Sequence, residues 1–257
     1  KETYNDKGVI KICVLEVSSM SIKRKQYFTR LFLRIIIFLM CLLMSFKPHF
    51  YDILEGMNFF NRFHILHILW LIWIFDMVLQ IIPIKNKLAL GSQKLFANRF
   101  KPISKKINYK ALKNYVKKTT ESAYKVFIIW TLLIAIIGIL YYFNIINKTW
   151  LFMISVFFYV CDLICVLIWC PFRLIMKNKC CTTCRIFNWD HLMMFSPLIF
   201  CGGFFSISLV VMALLAWLVW ELCILIYPER FSEMTNVALR CSKCTDKLCT
   251  QYCKKLR

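Results

Sequence analysis

The sequence predicts an all-α, polytopic helical membrane protein, and three observations carry that prediction. Sixty per cent of the 257 residues are apolar, with only six Gly and six Pro, which excludes disordered, collagen-like and Gly-rich architectures. The apolar residues fall into blocks long enough to cross a hydrocarbon core, which takes about 20 residues at about 1.5 Å rise each. The 34 Lys and Arg, set against 13 Asp and Glu for a formal charge of +21, lie between those blocks rather than inside them. Charge placed this way fits the cytoplasmic bias of basic loops and attraction to anionic lipid headgroups, not nucleic acid. The expected architecture has about five spanning helices, a re-entrant or interfacial segment and a cytoplasmic amphipathic helix, integral to the cell membrane.

A basic N-terminal segment, residues 1–30, precedes the first two membrane helices in 31–84. The block LFLRIIIFLMCLLMSF is followed by KPHFYD rather than by a small-residue cleavage site, so it is expected to be retained as a span. Arg34, close to its start, is expected to snorkel to the headgroups. The second span carries His64, His67 and Asp76 and ends at Pro83. Residues 85–125 hold many lysines against a single acid, Glu121, which marks a cytoplasmic loop. Within it Ile107, Ala111, Leu112, Tyr115 and Val116 share one side of a helix, suited either to the headgroup plane or to a solvated connector.

Residues 126–170 form a helical hairpin whose tip is the short turn at Asn147 and Lys148. The chain returns through a cysteine-containing loop, 171–194, to the same side as the basic loop. The last block, 195–227, would be about 50 Å long as one helix and is interrupted by Gly202 and Gly203. Either one helix crosses, leaving the C-terminal cysteines outside, or two short pieces return the chain to the cytoplasm. The basic tail 228–257 favours the second arrangement, which requires that other protein cover any irregular backbone at depth.

Cysteine spacing carries the chemistry. Two Cys-x-x-Cys pairs, Cys181 with Cys184 and Cys241 with Cys244, are the arrangement that closes a tetrahedral four-thiolate zinc site. The tail also has Cys249 and Cys253, and its compact run is similar to those that hold iron–sulfur clusters, though with wider spacing and no proline after the last cysteine. Cys180, Cys170 and His191 are further candidate ligands. Nearby lysines favour thiolates and offset the charge of such a centre. The expected role is a cysteine-ligated metal site, zinc or iron–sulfur, at the membrane surface with electron transfer to a partner subunit or a quinone. The rival is a non-catalytic scaffold or transporter component stapled by zinc. A third reading, thiol oxidoreduction at Cys181 and Cys184, rests on a purely architectural likeness: the chain resembles small helical membrane enzymes that couple a Cys-x-x-Cys pair to a quinone.

Asp76, Asp162 and Glu221 are ionisable groups at membrane depth, which usually face protein or water and mark proton, cation or quinone chemistry. For each the plainer alternative is a hydrogen bond to Trp or Ser on a neighbouring helix. His64 and His67 project about 60° apart from one helix, a poor pair for haem, which draws axial ligands from different helices. Hydrogen bonding between helices is the expected use of both. Cys161 and Cys165 share a helix face beside Asp162, where packing is expected. No phosphate-binding glycine loop, nucleophile elbow or paired acidic motif is present, so a soluble-type hydrolase or transferase site is not expected.

Overall fold

The computed structural model describes residues 22–47, 49–82, 100–103, 107–177 and 184–240. Its helices are α1 (Ile22–Met44), α2 (Ile65–Ile81), α3 (Tyr109–Tyr142), α4 (Lys148–Leu167), α5 (Phe172–Met176), α6 (Asp190–Phe195) and α7 (Phe204–Ile226), with 3-10 turns between them. Among the described residues the only extended pairing is one antiparallel bridge, Pro102 to Asn236. The chain is a polytopic helical membrane protein: α1, α3, α4 and α7 are long and apolar enough to cross a bilayer. The 17 residues of α2 reach about 25 Å. The outward faces are apolar, with Phe32, Leu39, Ile128, Leu132, Ile136 and Leu222 exposed, as lipid requires.

Helix starts follow local chemistry. Asn108 caps α3 by accepting from the Ala111 N–H at 3.1 Å, and Asn147 caps α4 by accepting from the Trp150 N–H at 3.1 Å, each satisfying a donor that a helix start leaves orphaned. The amphipathic stretch of the basic loop is not a separate helix in the headgroup plane. It continues without a break into the next span as the first third of α3, a 34-residue helix about 51 Å long. Nothing in VKKTTESAYKV breaks a helix, and Leu112, Ala123 and Val126 bury one common side.

α4 is the central helix, buried along Leu151, Phe152, Val156, Tyr159, Leu163 and Leu167; α1 and α6 pack against it, and α2 packs on α7. Lipid is as apolar as leucine, so packing and hydrogen bonds hold these helices together rather than any hydrophobic drive. Trp70 on α2 donates to Ser208 on α7 at 2.8 Å, and Trp130 on α3 donates to Ser196 at 3.1 Å.

The last apolar block resolves into two pieces. α6 and the 3-10 turn Ser196–Phe200 pass through the bundle as a broken crossing. Asp190 meets Gln80 at the end of α2, and Phe200 lies against Gly138 of α3, where an added Cβ would come within 2.5 Å of the ring. The Phe204 N–H then reaches the Gly56 carbonyl at the opposite end, at 2.9 Å. Pro197, which cannot continue the ladder, supplies the break. His191, Met193, Met194, Phe195, Pro197 and Leu198 are all buried, the protein cover that irregular backbone at depth requires. α7 returns from Phe204, so both limbs of this hairpin emerge at the end of the bundle that carries the basic loop. There the Val237 N–H bonds to the Lys101 carbonyl at 2.9 Å and the Ile103 N–H to the Thr235 carbonyl at 3.2 Å.

Candidate functional site at the basic end

Asp76, Asp162 and Glu221 each sit five residues before the last residue of their helix, at Ile81, Leu167 and Ile226. All three helices end at the basic end, so the acids form one layer about 7.5 Å inside it. The two buried acids, Asp162 and Glu221, each pair with an arginine, as burial of a charge demands, and the more exposed Asp76 meets a histidine. Asp162 Oδ2 accepts from Arg34 Nη1 at 2.7 Å, with the two side chains 16% and 12% exposed. Arg34 also donates to the Tyr159 carbonyl at 2.6 Å, and its guanidinium lies 3.8 Å from the centre of the Tyr159 ring. Arg34 therefore turns inward to a carboxylate instead of snorkelling to the headgroups, because an unpaired Asp162 on the central helix would cost more than the lost hydration of the guanidinium.

The second part of the layer is centred on His191. Its Nδ1 lies 3.0 Å from Asp190 Oδ1 and its Nε2 3.4 Å from Asp76 Oδ2, while Gln80 donates to Asp190 at 3.1 Å. Both ring nitrogens are directed at carboxylates, so His191, a candidate metal ligand by sequence, serves as a bridge between α2 and α6. The third part is a fork: Arg185 pairs with Glu221 through Nη2 to Oε2 and through Nε to Oε1, the latter at 3.2 Å, and Trp189 donates to Oε1 at 2.7 Å. Arg185 also donates to Thr120 on α3. Glu221 is thus held by a Trp, as its sequence context suggested, and by an Arg that its context did not.

Beside this layer lies a cavity of about 200 Å³. Its walls are aromatic: Trp130, Phe157, Phe158, Phe172 and Phe187. Four thiols, Cys161, Cys165, Cys170 and Cys184, also line it, with the carboxylates Asp162 and Asp190. Cys161 and Cys165, expected to be packing residues, thus border space, and Cys165 is hydrogen-bonded to Cys170. The only signal for this in the sequence is their shared helix face beside Asp162. Of the cysteines singled out as metal ligands, Cys170 and Cys184 are described; Cys180, Cys181, Cys241, Cys244, Cys249 and Cys253 lie outside the described residues. Among the described residues no group of three or more His, Cys, Asp and Glu is arranged to hold a metal.

His64 and His67 are at the opposite end and do not hydrogen-bond between spans. His64 caps α2 by accepting from the Leu66 N–H at 3.3 Å, His67 Nδ1 accepts from the His64 N–H at 2.9 Å, and His67 Nε2 meets the Phe59 carbonyl at 2.8 Å. Burial holds His64 below its ordinary value, with His67 adding to the shift. Tyr51, in the loop that closes this end, is raised by burial and then by Cys41, whose carbonyl its hydroxyl donates to at 2.6 Å.

The bundle and its polar layer define a helical membrane protein with an ionisable, thiol-lined chamber at one end. Comparison with protein families, with curated proteins and with solved structures finds no match, so the functional reading rests on the chemistry of this chamber and its surroundings.

Proposed function

We propose that this is a membrane redox protein carrying a cysteine-ligated metal centre at its basic, cytoplasm-facing end, in which Cys181 and Cys184 meet Cys241 and Cys244. Four thiolates from two Cys-x-x-Cys turns close a tetrahedral site, and the same set serves an iron–sulfur cluster. In this reading the centre is iron–sulfur and passes electrons to a partner subunit or to a membrane-soluble acceptor. Cys180, Cys249 and Cys253 stand by as neighbouring thiols. Arg173, Lys177 and Arg240, close in sequence to these cysteines, supply the positive charge that favours thiolate and offsets the negative charge of a four-thiolate centre. The lysines at the start of α3 rest on anionic headgroups.

The observation that carries the reading is the return of the last hairpin to its starting end. Cys184 stands directly before the turn Arg185–Trp189, and Arg240, the residue before Cys241, donates to the Glu233 carbonyl at 3.2 Å. Tyr115 on α3 is within electrostatic reach of both Cys184 and Glu233. Cys184 and Arg240, the described residues in or next to the two pairs, therefore stand at the same end of the bundle, which a shared centre requires.

Metal analysis and a visible spectrum of anaerobically purified protein in detergent test this. Iron with acid-labile sulfide, and an absorption band that bleaches on reduction and is lost in Cys184→Ser and Cys241→Ser, is the expected result. Zinc alone overturns electron transfer and leaves a stapled scaffold. Neither metal in folded protein overturns the centre itself.

A further inference from the structure

The cavity at the basic end holds a second thiol pair that the metal centre does not use. We propose that Cys165 and Cys170 form an internal redox dithiol whose electron acceptor is a quinone ring seated in this cavity. The proposal stands independently of the metal centre, because neither thiol is among that centre's ligands.

The end of α4 brings the pair together. The N–H groups of Ile168 and Trp169 both reach the Ile164 carbonyl, at 2.8 and 3.1 Å, and this closing turn swings Cys170 back to its hydrogen bond with Cys165. Thiols in hydrogen-bond contact need only a small approach to join, provided the backbone tolerates disulfide geometry.

The cavity selects the oxidant. Its flat aromatic walls favour a planar ring, and offset or edge-to-face contacts with such walls are worth about 0.5–1.5 kcal/mol each in general. An apolar cavity stays dry, and one of about 150 Å³ takes a benzene molecule. About 200 Å³ takes a ring with carbonyl substituents but not a long carrier tail, which leaves past the half-exposed Phe157 toward lipid. A charged water-soluble thiol or disulfide would be desolvated there at high cost. Asp162 and Asp190, held by Arg34 and His191, border the cavity as acceptors for the O–H groups of the hydroquinone, so they favour the reduced ring.

The step balances without a further reactant. Two S–H bonds break, one S–S bond forms, and two electrons and two protons pass to the ring oxygens to give the hydroquinone. The reverse step returns the thiols from hydroquinone.

Phosphine-reduced, desalted protein in detergent is mixed without oxygen with decylubiquinone, whose fully substituted ring resists thiol addition. One hydroquinone per protein, loss of two alkylatable thiols and a Cys165–Cys170 cross-link in peptide mapping are expected. Cys165→Ser and Cys170→Ser each abolish the reaction, and Cys223→Ser, remote from the cavity, does not. Phe157→Trp narrows the cavity and slows hydroquinone formation about tenfold or more, while diamide still oxidises the pair, which establishes that the variant folds. Hydroquinone without thiol loss, a cross-link elsewhere, or oxidation by diamide alone in the wild-type protein each overturns the proposal. Unchanged metal content in Cys165→Ser separates this result from the fate of the metal centre.

Discussion

The two ends of the bundle are built on different principles. The basic end is held by side-chain charge: Arg34 with Asp162, His191 between Asp190 and Asp76, and Arg185 with Glu221. The opposite end is closed by backbone and aromatic packing. Short 3-10 turns at Asp52–Leu54 and Asn58–Phe60 fold over the helix ends, and Phe59 packs against His67, Trp70 and Phe204. Gly203 lies so close under this cover that an added Cβ would stand 2.1 Å from the Leu54 carbonyl oxygen. A closure made of backbone bonds has one arrangement. A layer of paired charges beside a cavity sets polar groups next to open space, and the proposed chemistry belongs to that end.

The comparison breaks most sharply at Arg34. Arg34→Ala leaves Asp162 buried without its partner and is expected to cost about 3–5 kcal/mol, read as a loss of thermal or denaturant stability in detergent. Replacing both residues with leucine is expected to recover most of that loss, because the pair then leaves no orphan charge. If the single and double variants are equally unstable, the pair is not what orders this end.

At the closed end the largest expected effect is steric. Gly203→Ala places its new carbon against backbone, which cannot rotate away, so an overpacking cost of about 1–3 kcal/mol is expected. Gly202, with φ of 72° and nothing near its would-be Cβ, pays only for left-handed backbone, so Gly202→Asn is expected to be milder than Gly203→Ala. The reverse order would show that the tight contact at Leu54 does not hold this end.

The spans and the hairpin at Asn147 were legible because block length and capping residues are local properties. The continuity of α3 was not, since a change from polar to apolar residues marks a change of surroundings and leaves the helix intact. Asp76, Asp162 and Glu221 were legible as exceptional residues, whereas their partners were not. Arg34, Arg185 and His191 are distant in sequence from the acids they meet, and Arg34 has a local alternative in the headgroups that reads equally well. The facing of Cys165 and Cys170 depends on how the chain turns after Leu167, for which periodicity holds no signal.

A smaller effect is expected at the cap of α2. Because the fold holds His64 below its ordinary value of 6.5, it favours the neutral ring, whose Nδ1 accepts from the Leu66 N–H. The contribution is full above about 6.5 and fades as the pH falls through the folded value; a cap is worth about 1 kcal/mol. Melting of the wild type is expected to weaken from pH 8 toward pH 5, and His64→Asn, which retains an acceptor and does not titrate, is expected to flatten that dependence. An unchanged slope would show that the pH response arises elsewhere.

The smallest effect sharpens the comparison between the ends. Lys148 and Glu55 form an ion pair at 2.9 Å, nearly the separation of Arg34 and Asp162, but the side chains are 34% and 54% exposed instead of 12% and 16%. In water each partner is solvated when the other is removed, and exposed pairs contribute about 0–1 kcal/mol. Lys148→Ala is therefore expected to change stability by less than about 1 kcal/mol, with even that difference shrinking as salt is added. A loss comparable to that of Arg34→Ala would mean that Lys148 and Glu55 are shielded from water in the membrane-bound protein. The closed end would then share the electrostatic construction of the basic one.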